Sequence, residues 1–197
     1  MKQEISDRFD LNIARVKSLV AIYSTYLAGS GAGRRAHQKT DVLRAATVFL
    51  HASLEDVLRS LAYWKLPTAA AAELDKIPFA GGTTMKITLG SLAAHRGKAV
   101  STVIKEAVDA SLERSNYNNA SEVCGLLTSI GLDITPAQPY LATLELAMAR
   151  RHQIVHRADA NLTGGKGNHS VASISTATLT PWIANTEQFV QAVLNQV

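Results

Sequence analysis

Apolar residues recur at helical spacing along most of this chain. Leu11, Ile13, Val16, Leu19, Val20 and Tyr23 fall near the 3.6-residue period and predict a helix from about Ile5 to Leu27. The run Gly29-Ser30-Gly31-Ala32-Gly33 breaks that pattern and predicts a flexible connection. A second helix is expected from Thr40 or Asp41, both good N-caps, to about Trp64. Its Leu43, Val48, Leu50, Leu54, Val57, Leu58 and Leu61 form the broad apolar face of a core helix. Leu66-Pro67-Thr68 ends it, and a short helix follows from Ala69 to Lys76.

The stretch Ile77-Pro78-Phe79-Ala80-Gly81-Gly82 reads as a loop, and Thr83 to Leu89 as a short extended segment. A third major helix covers about Val100 to Arg114, and Asn119 caps another that runs to Ser129 or Ile130. Thr135-Pro136 and Thr180-Pro181 each pair a capping side chain with a proline suited to the first helical position. They predict a helix carrying Tyr140, Leu141, Leu144, Leu146 and Met148, and a last helix from Trp182 to Leu194. Between these two, residues 161–168 form a glycine-rich turn that lacks the spacing and the Lys-Ser/Thr pair of a phosphate-binding loop. Five or six helices with no internal repeat predict an all-α fold. The expectation is one domain over residues 1–197, an up-and-down bundle with extra short helices.

Composition narrows the class. Hydrophobic residues make up 47% of the 197 and aromatics 6%, as in a compact helical domain. The lone Cys124 excludes an internal disulfide framework and a four-cysteine metal site, and in its amphipathic run it reads as a small core residue. The mixed charges of Lys2, Glu4, Asp7, Arg8 and Asp10 do not resemble a secretory signal, and no apolar run approaches the ~20 residues that span a bilayer. The expectation is a cytoplasmic protein with no membrane partner. A net charge of +4 permits polyanion binding without requiring it. Arg34, Arg35, His37 and Lys39 cluster in one segment, and Arg150, Arg151, Arg157 and Lys166 in another. Brought together they make a basic patch for phosphates; kept apart they are solvated surface clusters.

The richest chemistry lies in Ala149-Arg150-Arg151-His152-Gln153-Ile154-Val155-His156-Arg157-Ala158-Asp159. His152 and His156 are four residues apart and share a helix face. Arg151 and His156 are separated by about 140° around the axis and about 7.5 Å along it, a gap that a long arginine spans. One reading makes the charges decoration of a helix C-terminus, where the macrodipole favours cations. A second makes His152 and His156 a chelating pair with Asp159 as third ligand, against which the flanking arginines repel a cation. A third assigns acid/base work to histidine and stabilisation of a phosphoryl transition state to arginine.

The string Arg151-x4-His156, with a polar residue after the arginine and a hydrophobic pair before the histidine, resembles the Arg-x4-6-His signature of HEPN domains. Its wording is similar to bacterial HEPN ribonuclease toxins and defence effectors of the RiboL-PSP-HEPN type. The segment Phe49-Leu50-His51-Ala52-Ser53-Leu54-Glu55-Asp56-Val57-Leu58 also looks like that family's long core helix, so the resemblance spans about Asp41 to Asp159. It implies a metal-independent, cofactor-free endoribonuclease that dimerises to face two motifs across one cleft. By that resemblance His156 moves protons at the ribose 2′-hydroxyl or the leaving 5′-oxygen, Arg151 stabilises the charge on phosphate, and His152 orients the phosphate. The products are a 2′,3′-cyclic phosphate and a 5′-hydroxyl.

Arg150 and Arg157 are expected to help bind the RNA, and Arg150 offers an alternative Arg-x5-His register that the sequence leaves open. Glu55 and Asp56 are candidates to pair with the motif arginines, or else are solvated; His51 reads as structural. The implied setting is a toxin or phage-defence effector held in check by an antitoxin or sensor. Two rivals remain: a catalytically silent HEPN module that binds RNA or nucleotide or serves in assembly, and an unrelated helical interaction protein.

Overall fold

The computed structural model describes residues 1–29, 37–81, 88–161 and 171–197. Among them the chain forms an all-α bundle of eight α-helices. Helix α1 (Lys2–Ile22) buries Ile5, Phe9, Ile13 and Val16, a stripe at spacings of four, four and three that lies on the next long helix. Its end loosens into a π-helical turn, Tyr23–Leu27, closed by the Ala28 N–H on the Tyr23 carbonyl at 2.8 Å.

Helix α2 (His37–Lys65) is the axis of the molecule. It packs against α1, α5 (Val100–Leu112), α6 (Ala120–Ser129), α7 (Gln138–Arg157) and α8 (Thr176–Leu194). That many neighbours explains why its apolar face is so broad: Leu43, Ala46, Leu50, Leu54, Val57, Leu58 and Leu61 are all buried in a cluster shared with the other long helices. Two short helices, α3 (Ala71–Leu74) and α4 (Leu89–Ala93), fill the connection between α2 and α5. No helix among the described residues is long and apolar enough to cross a membrane.

Several boundaries differ from expectation, each for a local reason. The first two helices start earlier, at Lys2 and His37, and the short third one is trimmed to Ala71–Leu74. Of the segment expected to be extended, 83–87 lies outside the described residues. Thr88 caps α4 in a reciprocal box with Ser91, and Leu89 is its first helical residue. Thr135 does not cap α7. Asp133 accepts from both the Thr135 N–H (2.9 Å) and its hydroxyl (2.8 Å), which holds the Asp133 carboxyl below its usual range. A 3-10 turn, Thr135–Ala137, follows, and Pro139 rather than Pro136 occupies the first turn of α7.

Thr180-Pro181 likewise does not open α8. Ser175, extended at φ −138°, takes the Thr178 N–H on its side chain and starts the helix at Thr176. The early start brings Leu179 into the core at 0% exposure and leaves Pro181 inside the helix.

Candidate active site

The candidate residues sit where α7 ends against α2. Leu144 and Met148 continue the buried stripe of α7, and Arg151 comes next on the same face, three residues on. Its side chain is therefore turned toward α2 and half-buried. Nη1 donates to the Asn118 Oδ1 at 3.3 Å from the α5–α6 connection, while the buried Nε has no hydrogen-bond partner among the described residues.

On α2, Glu55 lies within reach of the Arg151 charge, and the His51 Nε2 is 3.6 Å from a Glu55 oxygen. That gap is too long for a hydrogen bond, and Nε2 has no other partner among the described residues. Burial pushes the Glu55 carboxyl up. The His51 imidazole, the Tyr117 backbone N–H and the Arg151 charge outweigh it and hold the group below its ordinary 4.5. The Glu55 charge thus faces Arg151, whereas Asp56 pairs with Arg8 at 2.6 Å and plays no part here.

One face of α2 carries a polar stripe. Thr40, Arg44, Thr47 and His51, spaced by four, three and four, are all buried within a helix that is otherwise apolar on that side, and Glu55 continues the series. Its upper half meets a second structure at the end of α7. Ala158 and Asp159 both adopt left-handed backbone, φ 47° and 59°, so the chain reverses at once. Asp159 N–H returns to the Gln153 carbonyl at 3.1 Å, and the Gln153 side chain donates to the Ala160 carbonyl.

The reversal drives the Asp159 carboxylate inward to 0% exposure. Its Oδ2 accepts from Arg44 Nε at 2.7 Å and from Arg150 Nη2 at 2.8 Å. The same guanidiniums reach across to the strand-like segment before α8. Arg44 donates to the Ala172 carbonyl, and Arg150 to those of Ala172 and Ser173. Ala160 and Val171 complete the closure as an isolated antiparallel bridge.

This brace separates two arginines that are neighbours in sequence. Helical rotation of about 100° per residue sends Arg150 to Asp159 and Arg151 to Asn118 and Glu55. Arg150 is thereby tied to three acceptors, and its guanidinium bonds the end of α7 to the segment before α8. The chelating reading fails on the same observation, because the Asp159 carboxylate faces two guanidiniums and not the histidines. Among the described residues no cluster of three or more His, Cys, Asp or Glu is placed to hold a metal.

His152 and His156 lie on the solvent side of the last two turns, where their rings meet with centroids 4.5 Å apart, tilted by 43°. Arg157 is exposed beside them. No hydrogen bond joins Arg151 to either imidazole among the described residues. Arg34, Arg35 and Lys166, the rest of the two basic clusters, lie outside the described residues. Cys124 is half-buried, and burial pushes its thiol up, which suits a packing role.

No protein-family model, curated protein or solved structure matches this chain. Arg44, Tyr117 and Asn118 went unrecognised in the sequence. A signal for Arg44 existed in the polar stripe through an apolar helix; none existed for Asn118, which reaches the site from a loop.

Proposed function

We propose that the chain is a HEPN-type, metal-independent endoribonuclease, working as a homodimer, with Arg151, His152 and His156 as its reacting groups. The observation that carries this reading is the contact of two exposed imidazoles, His152 and His156, with ring centroids 4.5 Å apart and one helical turn between them. One imidazole takes the proton of a ribose 2′-hydroxyl as that oxygen attacks phosphorus. A second imidazole, from the same protomer or its partner, gives a proton to the 5′-oxygen as the P–O5′ bond breaks. Arginine, always charged and forked, matches the phosphoryl oxygens as negative charge builds. Protons and electrons balance without a further reagent, and the ends are a 2′,3′-cyclic phosphate and a 5′-hydroxyl. A toxin or phage-defence role, with RNA as target and an antitoxin or sensor as restraint, follows from the same reading.

A second reading, the silent RNA- or nucleotide-binding module, is favoured by the half-buried setting of Arg151, whose contact with Asn118 also serves packing. The two separate in one assay: cleavage of total RNA by wild type, Arg151→Ala and His156→Ala, each with and without EDTA. The ribonuclease reading expects EDTA-resistant cleavage that falls by roughly 10²-fold or more in each variant. EDTA-sensitive cleavage, or none by a folded dimer, defeats it.

A further inference from the structure

Asn118 stands in the connection between α5 and α6, where carboxylates from three helices fix the backbone. The Tyr117 N–H goes to Glu55 on α2. The Asn118 N–H goes to the Glu122 Oε2 on α6 at 2.7 Å, and the Ala120 N–H to the Glu145 Oε2 on α7 at 2.6 Å. Asn119 adds a bond of its own by taking the Glu122 N–H on its Oδ1 at 2.9 Å. The Tyr117 side chain is buried in the core. The Asn118 amide is thus presented to α7 from a fixed point.

Arg151 has less to hold it. The bond to the Asn118 Oδ1 is its one hydrogen bond among the described residues, and its buried Nε makes none. Glu55 adds the attraction of its charge. An arginine side chain carries much rotamer freedom, and a charge, being non-directional, does not select one geometry for it. A hydrogen bond does. Because a guanidinium only donates, the oxygen of the Asn118 amide, and not its nitrogen, faces Arg151. We propose that Asn118 is the positioning residue of the candidate site: its carbonyl fixes the rotation of the Arg151 guanidinium, and so where the remaining N–H groups meet phosphoryl oxygens. Asn118 itself touches no reacting atom. This role deepens the ribonuclease reading and rests on it, since it takes Arg151 as the group that meets phosphate.

Asn118→Ala removes the acceptor and leaves the backbone bonds of the connection in place. In RNA cleavage its kcat is expected to fall about tenfold or more, with KM within about threefold of wild type, because a misplaced transition-state group costs rate rather than binding. A merely structural role would not give that split. A second readout needs no activity: the heteronuclear NOE of the Arg151 Nε–Hε pair, assigned with Arg151→Lys. It is expected to drop in Asn118→Ala toward the value of the exposed Arg157, and to stay as in wild type in Asn118→Asp, which keeps an oxygen there. Asn118→Leu, without an acceptor, serves should the alanine variant not fold. An unchanged NOE in a folded variant without the acceptor overturns the proposal. So does an unchanged kcat, or a loss carried by KM alone. Wild type that cleaves no RNA defeats the ribonuclease reading, and the NOE then decides by itself whether Asn118 holds the arginine.

Discussion

Replacing Asp159 by Asn tests whether the end of α7 is held by charge. Asparagine keeps the size of the side chain and tolerates the left-handed backbone at φ 59°, so the substitution removes little besides the negative charge. The carboxylate is fully buried and the Arg44 side chain 8% exposed, so solvent screens their 2.7 Å contact weakly. Removing one partner of a buried ion pair costs about 3–5 kcal/mol where the other charge is left uncompensated. Arg44 keeps the Thr40 hydroxyl and the Ala172 carbonyl, and a 3.1 Å pairing with the exposed Asp41. These place the expected loss at the lower end, about 3 kcal/mol. For a chain of this size that is a fall in Tm of roughly 6–12 °C. Urea unfolding followed by circular dichroism at 222 nm reads it directly. A loss below about 1 kcal/mol for Asp159→Asn would refute the reasoning, since it would mean the guanidiniums are satisfied without the carboxylate.

Two further expectations follow from the same region. Ala158 is left-handed at φ 47° without the freedom of glycine, so Ala158→Gly should raise stability by about 0.5–1 kcal/mol, read in the same urea experiment; a loss would show that the alanine methyl packs usefully. Glu55 is held below 4.5 in the folded chain, so its charge contributes stability that is fully present above pH 4.5 and lost as the pH falls through the lower folded value. Wild type should therefore exceed Glu55→Gln in stability at pH 7, with the difference shrinking below pH 4.5; a difference that is constant across that range would exclude the charge as its source.

The sequence by itself determined the helices. Hydrophobic period is local information, and it was enough to find α1, α2, α5, α6, α7 and α8 and to class the chain as all-α. It was weaker at helix starts, because a cap depends on which of several nearby polar side chains wins the free N–H groups. Ser175 prevails over Thr180, and Thr135 gives its own N–H and hydroxyl to Asp133 instead of capping α7. Local spacing also placed His152 and His156 on one face, and their rings do meet.

What each charged group is used for was decided only by tertiary structure. Arg150 and Arg151 are equivalent as sequence, and their separation into a brace and a candidate reacting group depends on what α2 presents to each. Arg44 and Asp159 are 115 residues apart, and no local pattern links them. The polar stripe of α2 marked that buried partners were needed, because a helix does not bury threonine, arginine and histidine on one side without them. Their identity came from packing: a left-handed reversal after α7 carries one carboxylate to the two guanidiniums, and the same packing directs the neighbouring arginine to Glu55 and Asn118.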